Sequence, residues 1–381
     1  MTAAVSSRIS LLRLLRREWL LIFSYATTGI FMIKGNDWLG HNPGILTGSG
    51  IFIWLFVVML LSSFSVVRHA DHLAEQLREP YGTLILTLAV TSIEVMMISA
   101  LMLNGNNPYL ARDTMFAVVM IVLGGLLGLT LLTGGLRFSE QQVNIKGVNS
   151  FLGLILPLSV LSLIMPNFTE SGDEGSFSTF HALSMIVLSL IIYGVFLAIQ
   201  TSRHREFFNE TDWEPQSEEE HHIGNPIAFN AVLLIVHLLP VVLLSKQLAH
   251  LLDYGVKGGG MPKELAGAVV AVLILAPEGL SAILASARNQ VQRAVNVLLG
   301  SVLATIGLTV PAALAISLLY NKPVHLGLSS PSMTLLAVTL ATCMITFGQG
   351  QTNILQGFVH LLLFAAYIVL MFNLPNLNGS E

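Results

Sequence analysis

Stretches of about twenty apolar residues recur along the whole chain, and they decide its class before any motif is considered. Residues 82–103 read GTLILTLAVTSIEVMMISALML, and residues 264–286 read ELAGAVVAVLILAPEGLSAILAS. As helices, such stretches cross about 30 Å of hydrocarbon, where only helices and closed barrels satisfy their own backbone. Only 10% of the residues are charged, against about 25% in soluble domains. The expected fold is an all-α polytopic membrane protein in contact with lipid. Cys343 is the lone cysteine and lies inside an apolar run, which leaves no disulfide framework and no thiolate metal site.

Eleven spans are expected, over residues 19–34, 46–67, 82–103, 113–136, 149–166, 178–200, 227–246, 264–286, 294–319, 331–347 and 353–373. The first is short enough to read as a partial or interfacial helix. It follows Arg8, Arg13, Arg16 and Arg17, with no acid before Glu18. No small-residue cleavage site follows it, which favours a retained basic anchor over a signal peptide. With the N-terminus in the cytoplasm, twelve Lys and Arg fall on the cytoplasmic side and six on the other. The positive-inside rule supports that orientation, and the location expected is the cell (inner) membrane.

Eleven divides as one plus five plus five. A five-span unit is odd, so its second copy enters the membrane from the opposite side. The expected organisation is a basic N-terminus and first helix (1–45), a first five-helix repeat (46–200), an acidic cytoplasmic linker (201–226) and a second, inverted five-helix repeat (227–381). Inverted-repeat transporters bind their cargo near the midplane, where the repeats meet.

Among the 22 acids of the chain, two are expected deep inside apolar segments: Glu94 and Glu278. Each is on the second span of its unit, and each unit carries a following Gly-Leu-Thr, at Gly128-Leu129-Thr130 and Gly307-Leu308-Thr309. At 1.5 Å per residue both acids lie roughly 18–21 Å from the ends where their oppositely directed helices begin. An intramembrane acid is costly and points to function. Two facing carboxylates repel, and burial favours the neutral form, so at least one holds a proton near neutral pH. A hard cation such as Na⁺ or Ca²⁺ suits oxygen ligands and expels that proton on arrival. Competition of this kind is the minimal chemistry of an antiporter.

Thr91, Ser92, Ser281 and Ser301 are candidates to complete the oxygen shell, although a helix hydroxyl also bonds readily to the carbonyl four residues back. Pro277 frees a backbone carbonyl beside Glu278, either as a plain kink or as a further ligand. His237 and His360 lie in spans and read first as interhelical donors. The pairs Gly124-Gly125 and Gly134-Gly135 read as close helix packing. The linker carries Glu214, Glu218, Glu219 and Glu220, then His221 and His222. It is either a solvated connection or an acidic, pH-sensitive antenna for cations.

At these residues the chain resembles the calcium/cation exchanger superfamily, in its cation/proton exchanger branch, and within it the bacterial ChaA-type Ca²⁺/Na⁺:H⁺ antiporters. The resemblance rests on Ser65 to Asp71, Glu79-Pro80-Tyr81-Gly82, Ile93-Glu94-Val95, Pro277-Glu278-Gly279-Leu280, Asn289 to Ala294, Gly300 to Thr305 and Gly350 to Gly357. It implies a sodium/calcium exchanger-like fold and proton-coupled cation efflux by alternating access, with Glu94 and Glu278 as shared cation and proton sites. Many Ca²⁺/H⁺ exchangers carry Gly-Asn-Ala before each repeat acid. Here those positions read Val90-Thr91-Ser92 and Ile274-Leu275-Ala276. The amides are absent, Ca²⁺ wants six to eight oxygens, and Na⁺ and K⁺ remain open as cargo.

The partners expected are therefore inorganic cations, protons and lipid, with no nucleic acid and no resident cofactor. Homo-oligomers stay open. No Ser–His, paired-Asp or His-Glu-x-x-His arrangement lies within a span, so an enzyme is not expected. The alternative is a cation channel or uncoupled conductor, but no filter-like motif occurs.

Overall fold

The computed structural model describes residues 18–39, 44–77, 81–104, 107–169, 175–203, 207, 227–258 and 260–373. Eleven helical segments follow one another where the apolar runs lie. They are α1 (Trp19–Leu39), α2 (Ile45–Leu77), α3 (Tyr81–Asn104), α4 (Leu110–Phe138), α5 (Ile145–Phe168), α6 (Thr179–Ala198), α7 (Ile227–Gly258), α8 (Lys263–Ser286), α9 (Val291–Tyr320), α10 (Ser330–Phe347) and α11 (Ile354–Asn373). Nine of the described helices are long and apolar enough to cross a membrane, and the apolar parts of α1 and α3 are shorter. The basic N-terminus and the acidic linker, with Glu214, Glu218, Glu219, Glu220, His221 and His222, lie outside the described residues.

Helix identity follows from composition, since backbone groups in hydrocarbon have no water to turn to. Sidedness follows from packing. In α4 most of the apolar window is buried inside the protein, whereas in α6 and α11 most of it faces outward. Outward residues such as Leu188, Ile191, Leu362 and Val369 form an exposed apolar surface. The core is a layer of Met, Leu, Val and Ala from α4, α5, α8 and α9. A second cluster joins α1, α2, α3, α7 and α8.

The paired glycines do pack closely. A Cβ on Gly124 would meet Phe364 of α11 at 3.1 Å, and one on Gly128 would sit 2.9 Å from the backbone nitrogen of Leu361. Facing it, a Cβ on Gly357 would sit 2.7 Å from the nitrogen of Leu132. This small-residue seam lets α4 and α11 approach backbone to backbone. Beyond it, β1 (Glu140–Gln142) pairs antiparallel with β2 (Gln351–Asn353), Gln141 opposite Thr352.

Besides π turns over Val160–Ile164 and Ile199–Arg203, two helices change pitch near their middles. α4 has a π-helical turn over Ile121–Leu126, and α9 has one over Thr305–Thr309. Single π turns widen a helix and recur at functional sites. The turn in α4 packs on α8, the helix of Glu278, and the turn in α9 packs on α3, the helix of Glu94. Each acid-bearing helix is therefore packed against the distorted helix of the opposite half.

Candidate cation site

Glu94 is only 3% exposed. Its Oε2 accepts a hydrogen bond from Thr305 Oγ1 at 2.9 Å. Thr305 Oγ1 also lies 3.0 Å from the Ser301 carbonyl of its own helix. One turn earlier on α9, Ser301 Oγ donates to Glu278 Oε2 at 2.7 Å. A single helix thus supplies the hydroxyl partner of both carboxylates. Glu278 lies near enough for the two acids to act on each other electrostatically.

The polar groups are not all satisfied. Glu94 Oε1 and Thr309 Oγ1, one turn beyond Thr305, are both buried without a hydrogen bond of good geometry. Thr309 lies beside the Glu94 carboxyl. Buried oxygens held this loosely are costly in an apolar interior. They are oxygen donors of the kind a hard cation takes.

Ser301 is the sequence candidate that the structure joins to an acid. Ser92 instead donates to the Leu88 carbonyl at 2.6 Å, the back-bonding habit of helix hydroxyls. Thr91 is buried on α3. Ser281, half-buried on α8, makes no hydrogen bond to either glutamate. The pairing of Thr305 and Thr309 with Glu94 is new. Their signal was the hydroxyl spacing of four in Ser301, Thr305 and Thr309. Asp71 on α2 is within electrostatic reach of Glu278, and the Tyr193 ring of α6 lies against Gly307 on the α9 π turn.

Two further acids are buried in the folded bundle without lying deep inside an apolar segment. They are Glu18 and Asp113, 4% and 5% exposed. Both sit at the ends of apolar runs, and neighbouring helices cover them in the folded bundle. Asp113 Oδ1 takes a bond from Arg112 Nε at 2.8 Å, and Arg112 reaches the Gly327 carbonyl. His360 is an interhelical bridge, with Nδ1 2.6 Å from the Leu123 carbonyl in the α4 π turn and Nε2 3.0 Å from Thr346 Oγ1.

The sequence profile of the sodium/calcium exchanger protein family matches residues 47–202 and 229–373. The chain belongs to this family. Its relatives include the sodium-potassium/proton antiporter ChaA of Escherichia coli (strain K12), 43% identical over 319 residues, which span 82% of this chain and 86% of that protein. Among solved structures it is similar to the Ca²⁺/H⁺ antiporter protein YfkE, with a TM-score of 0.71, 16% identity and coverage of 93% of this chain and 99% of that one. It is also similar to the H⁺/Ca²⁺ exchanger CAX, with a TM-score of 0.60, 15% identity and coverage of 93% and 88%. The exchanger fold that the resemblance implied is thereby shown. The two family-matched segments leave out residues 203–228, nearly the stretch read from the sequence as the linker.

Within this exchanger family the two halves of the present chain are chemically unequal. The offset that superposes Gly128-Leu129-Thr130 on Gly307-Leu308-Thr309 sets Val122 and Leu126 opposite Ser301 and Thr305. At these two positions the first half offers hydrocarbon where the second offers hydroxyls, while Thr130 matches Thr309.

Proposed function

We propose that this chain is a secondary antiporter that exchanges a cation for protons, with Glu94 and Glu278 as the shared binding groups. The observation that carries the site is the loosely satisfied buried pair Glu94 Oε1 and Thr309 Oγ1, on a carboxylate already held from its other side by Thr305. A cation entering there gains a carboxylate and hydroxyl oxygens. A proton entering there neutralises the acid and removes the reason for the cation to stay. Either occupant makes the buried acid tolerable, and the empty charged site is the costly state. That cost discourages a return across the membrane with nothing bound, which is what couples exchange.

The oxygen set supports a monovalent cation over Ca²⁺. It holds two carboxylates and the hydroxyls of Ser301, Thr305 and Thr309, with no side-chain amide in the positions before either acid. With each carboxylate binding through one oxygen this set gives about five, short of the six to eight that Ca²⁺ prefers. The similarity to a sodium-potassium/proton antiporter agrees with Na⁺ or K⁺ as cargo. The reading is of a transporter in the cell membrane, N-terminus in the cytoplasm, with residues 46–200 and 227–381 as inverted halves and residues 201–226 as an acidic cation or pH sensor.

The test is proton release from everted or reconstituted vesicles under an imposed pH gradient, read by fluorescence dequenching, with Na⁺, K⁺ and Ca²⁺ added separately. Dequenching with Na⁺ or K⁺, lost in Glu94→Gln and in Glu278→Gln, is the expected result. Dequenching by Ca²⁺ alone would overturn the monovalent assignment, and cation flux without proton movement would establish a channel instead.

A further inference from the structure

Away from the two transport glutamates, α1, α2 and α7 converge on a second polar cluster that the transport reading does not use. Glu18 immediately precedes α1, His69 is on α2, and His237 is on α7. Their side chains are 4%, 2% and 0% exposed. Glu18 Oε2 lies 3.1 Å from His237 Nε2 and 3.5 Å from His69 Nε2. The ligand atoms of the three residues all lie within 4.8 Å of one another. The imidazoles stack, with ring centroids 5.2 Å apart and planes inclined by 27°. Arg68 Nη2 also reaches Glu18 Oε2, at 2.6 Å, and lies 3.5 Å from His69 Nε2.

The geometry points to a divalent transition-metal site of the zinc class, formed by Glu18 Oε2, His69 Nε2 and His237 Nε2. Ligands about 2.0–2.2 Å from a tetrahedral ion stand about 3.3–3.6 Å from one another. The two carboxylate–imidazole separations already match or approach that spacing, so little rearrangement is needed. Two imidazoles and one carboxylate suit Zn²⁺ and its neighbours, whereas Na⁺, K⁺ and Ca²⁺ prefer all-oxygen shells. The donor set thus separates this site chemically from the cargo site. Asn230 adjoins His69 and is buried. It supplies the outer-shell amide that orients a metal-bound imidazole.

Arg68 is the resident cation that a metal must replace. Its side chain is 40% exposed, so it can swing into water and leave Glu18 to the ion. Three ligands with a fourth position at the Arg68 side make an open site, available to a water molecule. The ion would tie the first helix of the chain to α2 and α7. Those are the helices that lead into α3 and α8, the carriers of Glu94 and Glu278. Its expected effect on the protein is to restrain the bundle, seen as a higher melting temperature and slower transport.

The test uses the full-length, untagged protein, stripped with a chelator and titrated with Zn²⁺ or Co²⁺ alone. One ion per chain is expected, with an X-ray absorption spectrum showing two imidazoles and oxygen around zinc. Glu94→Gln/Glu278→Gln should bind it unchanged. His69→Gln and His237→Gln should each weaken binding at least tenfold, and Arg68→Ala should tighten it. No stoichiometric binding to the wild-type protein, or a shell without two imidazoles, overturns the proposal whatever the variants do. So does zinc that is lost with the double glutamine variant, since it would then sit in the transport site.

Discussion

Thr305 holds Glu94 from across the junction of the two halves, 2.9 Å away, on the π turn that widens α9 opposite α3. The bond joins the acid of the first half to a hydroxyl of the second. Ser301 and Glu278 make the corresponding bond within the second half. The site therefore belongs to both halves and to one helix in particular.

Replacing Thr305 tests that dependence. Hydrogen bonds to charged groups contribute about 1.5–3 kcal/mol, so Thr305→Val is expected to weaken apparent cation affinity roughly tenfold to a hundredfold. Thr305→Ser should keep most of it. Concentration dependence of cation-driven proton release measures both. Equal behaviour of Val and Ser variants would show that the hydroxyl is not used.

Neutralising either acid should be more severe. Glu94→Gln and Glu278→Gln each keep size and lose charge and proton exchange. Coupled exchange should fall to background while the purified protein keeps its elution profile and melting temperature. A variant that still moves cations against a proton gradient would exempt its residue from the mechanism.

If proton and cation compete for the same carboxylates, acidity must act like a competitive inhibitor. The sign is fixed: protons occupy the acids as pH falls, so the cation concentration for half-maximal rate rises. With one competing proton the rise approaches about tenfold per pH unit below the site's titration, and the maximal rate at saturating cation changes less. Initial rates over a grid of pH and cation concentration decide it. A half-saturation value independent of pH would separate the two sites.

The seam between α4 and α11 has no room for a side chain. Gly128→Val would press into the backbone of Leu361 and the carbonyl of Gly357, and overpacking of this kind costs about 1–3 kcal/mol. A lower melting temperature in detergent is expected, with exchange reduced in proportion to folded protein. An unchanged melting temperature would mean that the seam opens without cost.

The fold was legible because hydrocarbon leaves so few choices. Runs of about twenty apolar residues had to be helices, and each of the eleven expected spans meets a helix of the structure. Glu94 and Glu278 stood out because acids are rare in such runs. Their partners were less visible. Thr305 and Thr309 look like ordinary helix hydroxyls in sequence, and a π turn, which changes where they point, has no pattern in hydropathy. Glu18 was hidden for a different reason. It lies just before a helix, where an acid is commonplace, and only the convergence of α2 and α7 buries it against His69 and His237.

A hydroxyl carries one hydrogen and two lone pairs. Thr305 has two acceptors in reach, the Glu94 carboxylate and the Ser301 carbonyl. When Glu94 is ionised, the hydrogen of Thr305 points to it. When Glu94 is protonated, the acid becomes the donor, and Thr305 can accept from it while turning its own hydrogen to the Ser301 carbonyl. The chain of bonds reverses its polarity by rotation about one C–O bond, with every heavy atom left in place. The site thus carries a relay that is indifferent to which state it serves, and α9 can hold the same acid through both halves of a transport cycle.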